Sequence, residues 1–116
     1  MSITSDLIRG STETIILAQL RQGDSYGYKI NKAIQQKTGN QFELKEATLY
    51  TAFRRLEETG SISSYWGNEN TGARRRYYSI TSEGRQTFER LRREWQTAKL
   101  LIDALIADEE ETNHAG

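Results

Sequence analysis

The run from Thr81 to Ala107 limits what this chain can fold into more than any other segment. Phe88, Leu91, Trp95, Ala98, Ile102 and Leu105 recur at steps of three, four, three, four and three, the a/d spacing of a helical seam. Leu101 and Ile106 widen the stripe. Thr81 offers a hydroxyl for N-capping, and Glu83 puts negative charge in the first turn, so the helix is expected to start there. At ~1.5 Å per residue it reaches nearly ~40 Å, longer than the small globule ahead of it can cover. The surplus stripe must be buried elsewhere. A second copy of the chain is the economical partner, which gives a two-fold dimer with its seam at Phe88, Leu91, Trp95, Ile102 and Leu105.

Ahead of that helix the spacing changes twice. Residues from about Asp6 to Gln22 read as one helix with Leu7, Ile8, Ile15, Ile16, Leu17 and Leu20 as its apolar side and Gly23-Asp24 as the stop. A second runs from about Ser25, a plausible N-cap, to Lys37, with Tyr26, Ile30, Ala33 and Ile34 inward. Phe42 and Leu44 lead into a third, from Ala47 to Gly60, in which Leu49, Phe53 and Leu56 share one face. Thr48, Tyr50, Thr51, Arg54 and Arg55 fall off that face. Hydroxyls, a phenol and guanidiniums on an exposed helix suit the base edges and phosphates of a DNA groove. The segment alone fits an ordinary solvated helix equally well.

After Gly60, Ser61-Ile-Ser-Ser-Tyr-Trp66 alternates β-formers, Gly67-Asn-Glu-Asn-Thr-Gly72 is dense in turn residues, and Arg74-Arg-Arg-Tyr-Tyr-Ser-Ile80 is extended again. A hairpin directly after a candidate recognition helix is a wing. Ile62, Tyr78 and Ile80 would close the core, and Tyr65 and Trp66 read as packing residues. Closure does not need Arg74, Arg75 and Arg76, which point to phosphate or minor-groove contact. The expected fold is mainly α with a small β-hairpin. Residues 1–81 form a winged helix-turn-helix DNA-binding domain, 82–108 a long C-terminal dimerisation helix, and 109–116 a flexible acidic tail.

The formal net charge is zero over 116 residues, but the charges are segregated. Arg74 to Arg93 holds seven arginines against Glu83 and Glu89, whereas Asp103 to the end holds five acids and neither Lys nor Arg. Local field decides whether an anionic partner is attracted, so neutrality does not exclude DNA. Cysteine and proline are absent and His114 is the one histidine. With no Gly-rich phosphate loop and no recognisable acid pair, these counts leave nothing for nucleophilic, metal or acid–base chemistry. The expectation is a non-enzyme with no cofactor, no membrane span, no signal peptide and a cytoplasmic home.

Taken together, Gly27-Tyr-Lys-Ile30, Ala47-Thr-Leu-Tyr50, Arg55-Leu-Glu57, Gly60, Ser63-Ser-Tyr-Trp66, Arg74-Arg-Arg-Tyr-Tyr78 and Thr81-Ser-Glu-Gly84 resemble the PadR family of bacterial transcriptional repressors. The similarity runs from about Ile8 to Ala107 and is nearest to short, LmrR-type multidrug-sensing members. It implies a homodimer on a palindromic double-stranded operator, which releases DNA when a planar aromatic compound binds at the dimer interface. By the same resemblance DNA contacts fall on Ala47, Thr48, Tyr50, Thr51 and Arg54, with Arg74, Arg75 and Arg76 on the wing. Trp95 would wall a ligand cavity, lined also by Leu7, Ser11 and Thr14. Ala98, beside the bulky indole, would leave the gap between helices that a flat guest needs.

Two residues depart from the family pattern. Lys45 stands where relatives place Ser or Asn, so a side-chain N-cap is lost in exchange for a phosphate contact. Lys99, one turn from Trp95, stands where the drug-sensing members carry an acid, and a lysine at the cavity mouth repels cationic drugs. A PadR-like repressor with no small-molecule ligand and a winged-helix protein-interaction module therefore stay open beside the sensor.

Overall fold

Ile16, Leu17 and Leu20 are each exposed by 1% or less, and the rest of the core assembles around them. The computed structural model describes residues 3–67 and 74–108, and within them five helices and one hairpin follow in the order α1 (Ile3–Arg9), α2 (Thr12–Leu20), α3 (Gly27–Lys37), α4 (Glu46–Glu58), β1 (Ile62–Trp66), β2 (Arg76–Ile80) and α5 (Ser82–Ile106). Ile30 and Ile34 of α3, Leu49, Phe53 and Leu56 of α4, Ile62 and Tyr78 of the hairpin, and Phe88 of α5 close over α2. Phe42 and Leu44, on the loop before α4, are buried with them. The Tyr78 ring stacks on Phe53 with centroids 3.8 Å apart. The expected tail over 109–116, with His114, lies outside the described residues, as does the wing turn at 68–73.

The single first helix expected over Asp6–Gln22 is two. Gly10 and Ser11 break it, and the Thr12 hydroxyl donates to the Arg9 carbonyl at 2.7 Å, giving the backbone a local alternative to the helical ladder. Leu7, read as part of the apolar side, is 75% exposed on α1. Ser25 is not the cap of α3. Its backbone pairs in both directions with Tyr78, N to O at 3.1 Å and O from N at 2.7 Å, as an isolated one-residue bridge against the hairpin. α3 begins at Gly27 after Tyr26, which makes no side-chain cap.

Two polar clamps set the helix-turn-helix. Asn31 on α3 donates to the Leu44 carbonyl at 2.7 Å and accepts from the Leu44 N–H at 2.8 Å, fixing the loop that delivers α4. Thr81 accepts from the Gly84 N–H at 3.0 Å as the N-cap of α5, and its hydroxyl lies 2.6 Å from the Gly60 carbonyl, tying the exit of α4 to the entry of α5. Gly60 itself takes φ 76° past the end of α4, a conformation that glycine adopts without steric cost.

α5 is continuous for 25 residues, and the structure divides its seam. Phe88 is 5% exposed in the protomer's own core, with the Arg21 guanidinium 4.5 Å over its ring, and Leu91 packs partly against the same core. Phe88, expected at the dimer seam, is therefore an intrachain core residue. Every residue from 92 to 106 is exposed. The described chain accordingly extends over 62 × 30 × 21 Å, with half of α5 leaving the body.

Candidate nucleic-acid interface

Burial of Leu49, Ala52, Phe53 and Leu56 fixes which way α4 faces. Ala47, Thr51 and Arg54 follow at steps of four and three on the opposite side and form an exposed ridge, which Glu58 continues. Thr48 lies on one flank, in an open groove of about 540 Å³ shared with Arg9, Glu13, Thr51 and Arg55. Tyr50 lies on the other, its ring edge-on to Phe53 at 5.6 Å. Lys45 takes the N-cap position in extended conformation with no side-chain cap, and its exposed side chain stands at the start of the ridge. Gly27 lets α3 begin close to α4, since a Cβ there would meet Tyr50 Oη at 2.9 Å and Leu49 Cδ2 at 3.3 Å.

The hairpin pairs Ile62 with Ile80, Ser64 with Tyr78 and Trp66 with Arg76. Tyr65 and Trp66, read from sequence as packing residues, are instead 46% and 54% exposed, because the strands run past the edge of the core. Tyr65 stacks on Tyr77 with centroids 5.6 Å apart and donates its phenol proton to Asp24 Oδ2 at 2.6 Å. That hydrogen bond to a carboxylate pushes the Tyr65 phenol above the ordinary value of 10.0. Burial pushes Tyr78 up as well, against a smaller opposing effect of the Arg76 charge.

The three wing arginines are not equivalent. Arg74 lies 5.3 Å over the Trp66 ring and Arg75 4.7 Å over that of Tyr26. Arg76 is tied down within the chain: Nη2 is 2.9 Å from Ser64 Oγ and 3.4 Å from Glu57 Oε1, and Nε is 3.1 Å from the same hydroxyl. Ser64 in turn donates to Glu57 Oε2 at 3.0 Å. Glu57 sits on the Tyr50 flank of α4, seven residues on, so this network braces the recognition helix against the wing. Sequence reasoning missed both Glu57 and the Asn31 clamp. Neither leaves a local sequence signal, because the bonded partners lie 13 and 19 positions apart.

This arrangement is a winged helix-turn-helix: two packed helices, a recognition helix with a polar ridge, and a hairpin against its C-terminal half. A sequence model of the Transcriptional regulator PadR-like family matches residues 16–90. The chain belongs to the PadR-like family. Among similar solved structures, a transcriptional regulator from Clostridium thermocellum is 47% identical with a TM-score of 0.82, covering 91% of this chain and 100% of that one. A PadR family transcription regulator from Clostridium difficile is 36% identical with a TM-score of 0.69, covering 84% and 99%. An uncharacterized protein of Lysinibacillus sphaericus is 44% identical over 104 residues, covering 90% of this chain and 95% of that one. PadR proteins are DNA-binding transcriptional regulators, not enzymes. Among the described residues, no helix is long and apolar enough to cross a membrane and no group of His, Cys, Asp or Glu could hold a metal.

The residues expected to line a ligand cavity in this PadR-like chain lie on three elements. Leu7 is on α1, Ser11 and Thr14 are half-buried at and after the α1–α2 break, and Trp95, Ala98 and Lys99 stand on the projecting half of α5. Trp95 is 52% exposed, and the Lys99 ammonium lies 5.7 Å from its ring centroid. Thr14 shares a groove with Glu13, Thr87, Arg90 and Leu91, one turn short of Trp95.

Proposed function

We propose that this PadR-like regulator works as a homodimeric repressor on a palindromic duplex operator. The observation that carries the reading is the projecting half of α5, where Trp95, Leu101, Ile102, Leu105 and Ile106 are 52–82% exposed on one stripe in the lone protomer. So much adjoining apolar surface on a charged chain calls for a partner, and a second α5 matches its length and spacing. Leu91, Trp95, Ile102 and Leu105 then form the seam. Two α4 helices enter successive major-groove half-sites ~34 Å apart. Ala47, Thr48, Tyr50, Thr51 and Arg54 meet base edges and nearby phosphates, while Lys45, Arg74 and Arg75 hold the backbone, and Arg76 sets the wing through Glu57.

In the full reading, of LmrR type, a planar aromatic compound enters between the paired Trp95 rings, against Leu7, Ser11, Thr14, Ala98 and Lys99. It favours a dimer opening that no longer fits the half-site spacing. The coupling is no larger than the ligand's differential affinity for the two openings. Lys99 makes neutral or anionic guests the preferred ones. A second reading, a PadR repressor with no ligand, is favoured by the Lys99 ammonium that already covers one indole face.

Titrating the protein, free and bound to a duplex selected from a random pool, with planar cationic, neutral and anionic aromatics separates the two. The sensor reading expects saturable quenching of tryptophan emission and release of the duplex, both lost in Trp95→Phe. Retention of duplex through the whole panel, with no quenching, would leave the ligand-free repressor. A pool that yields no preferred duplex would remove the operator reading itself.

A further inference from the structure

The groove between the start of α3, Tyr50 and the wing carries more aromatic surface than a duplex backbone can use. It measures about 500 Å³ and is lined by Tyr26, Tyr28, Tyr50, Trp66 and the three wing arginines, and among the described residues no carboxylate lines it. Tyr28, Trp66 and Tyr50 are 68%, 54% and 43% exposed. Phosphates and sugars of a duplex take up cations and hydrogen-bond donors, and its bases stay stacked on one another. Ring faces gain little from such a partner. Unpaired bases are different, because each presents a π-face that stacks on an aromatic ring or on a guanidinium plane. The volume suits nucleotide-sized groups, within the ~300–1,000 Å³ of ordinary small-molecule sites.

We propose that this groove binds single-stranded nucleic acid, with Trp66 and Tyr28 as stacking platforms and the wing guanidiniums along the backbone. The inference rests on the reading that α4 and the wing form the nucleic-acid face, and it extends that face to a second substrate. Arg74 and Arg75 already lie over Trp66 and Tyr26, so the groove sets guanidiniums directly beside its rings, where a stacked base would bring its phosphate. The charge of Arg76 is partly offset by Glu57. A regulator built this way would hold unpaired strands, such as those of an opened duplex or a transcript, in competition with its duplex site.

The test uses the 116-residue chain carrying Trp95→Phe, so that emission comes from Trp66. The probes are an oligothymidylate and an oligouridylate of about ten nucleotides and a random-sequence duplex. Both single strands are expected to quench emission saturably. In otherwise wild-type protein, Trp66→Ala should lower single-strand affinity roughly tenfold and duplex affinity far less, while Trp66→Tyr, which keeps a ring, should recover most of it. Equal losses for single strand and duplex, or no quenching by either oligomer, would overturn the inference. Failure with single strands alone leaves the duplex regulator standing; failure with every probe means that this face is no nucleic-acid surface.

Discussion

Replacing Glu57 with Gln removes the carboxylate that holds Arg76 and leaves the rest of the wing in place. The Arg76–Glu57 pair is separated by 3.4 Å with side chains 46% and 30% exposed, so it contributes at most ~1 kcal/mol to folding. Its larger effect is on where one positive charge points. Each guanidinium that newly meets a phosphate steepens the dependence of log affinity on log salt by ~0.9, so two copies in a dimer give ~1.8. Between about 50 and about 200 mM salt, a fourfold change, that adds about tenfold to the loss of affinity. Arg74→Ala should flatten the slope by the same ~1.8, since among the described residues no carboxylate pairs with that guanidinium, which lies over the Trp66 ring. Arg76→Ala should change the slope by less than half as much, because its charge is already compensated. Fluorescence anisotropy on a labelled duplex over that salt range reads all three. If Arg76→Ala flattens the slope as far as Arg74→Ala, and Glu57→Gln leaves it unaltered, Arg76 is a phosphate ligand and the brace is wrong.

Gly84→Ala would drive a Cβ into the Ser61 carbonyl and to 2.8 Å from Ile80 Cγ1, so backbone must move; a loss of about 3 kcal/mol or more in urea denaturation is expected. A loss below ~1 kcal/mol would show that the α5 entry is loosely packed. Ile102→Glu changes a residue 54% exposed in the protomer, so it should leave helix content intact while sedimentation shows monomers and operator affinity falls; a variant that stays dimeric places the seam elsewhere. Tyr65 and Tyr78 hold their protons more tightly folded than unfolded. Their contribution is therefore complete below about pH 10 and lost as pH rises through the higher folded values, so the thermal midpoint should decline from about pH 10 upward. Tyr65→Phe should lessen that decline, and a midpoint flat to about pH 11 would contradict both shifts.

Periodicity tells which side of a segment is buried but not what buries it, and that boundary separates the legible parts of this chain from the rest. The α4 face was legible because Leu49, Phe53 and Leu56 are apolar at helical spacing and all three are 3% exposed or less. The cap of α5 was legible because Thr81 acts on Gly84, three residues away. Phe88 was misplaced for the opposite reason: it shares the a/d phase of Trp95 and Ile102, and the phase is the same whether the facing helix belongs to the same chain or another. Only the size of the body decides, and the body ends near Leu91. The polar brackets were invisible on the same ground. Asn31 reaches Leu44 across 13 positions and Arg76 reaches Glu57 across 19, and neither pairing leaves a local pattern. Yet these brackets, more than the core, set how α4 and the wing stand relative to one another. The exposed side chains of α4 and the wing are thus readable from sequence as an inventory. Their geometry, and the division of labour among Arg74, Arg75 and Arg76, comes from contacts that only the folded chain makes.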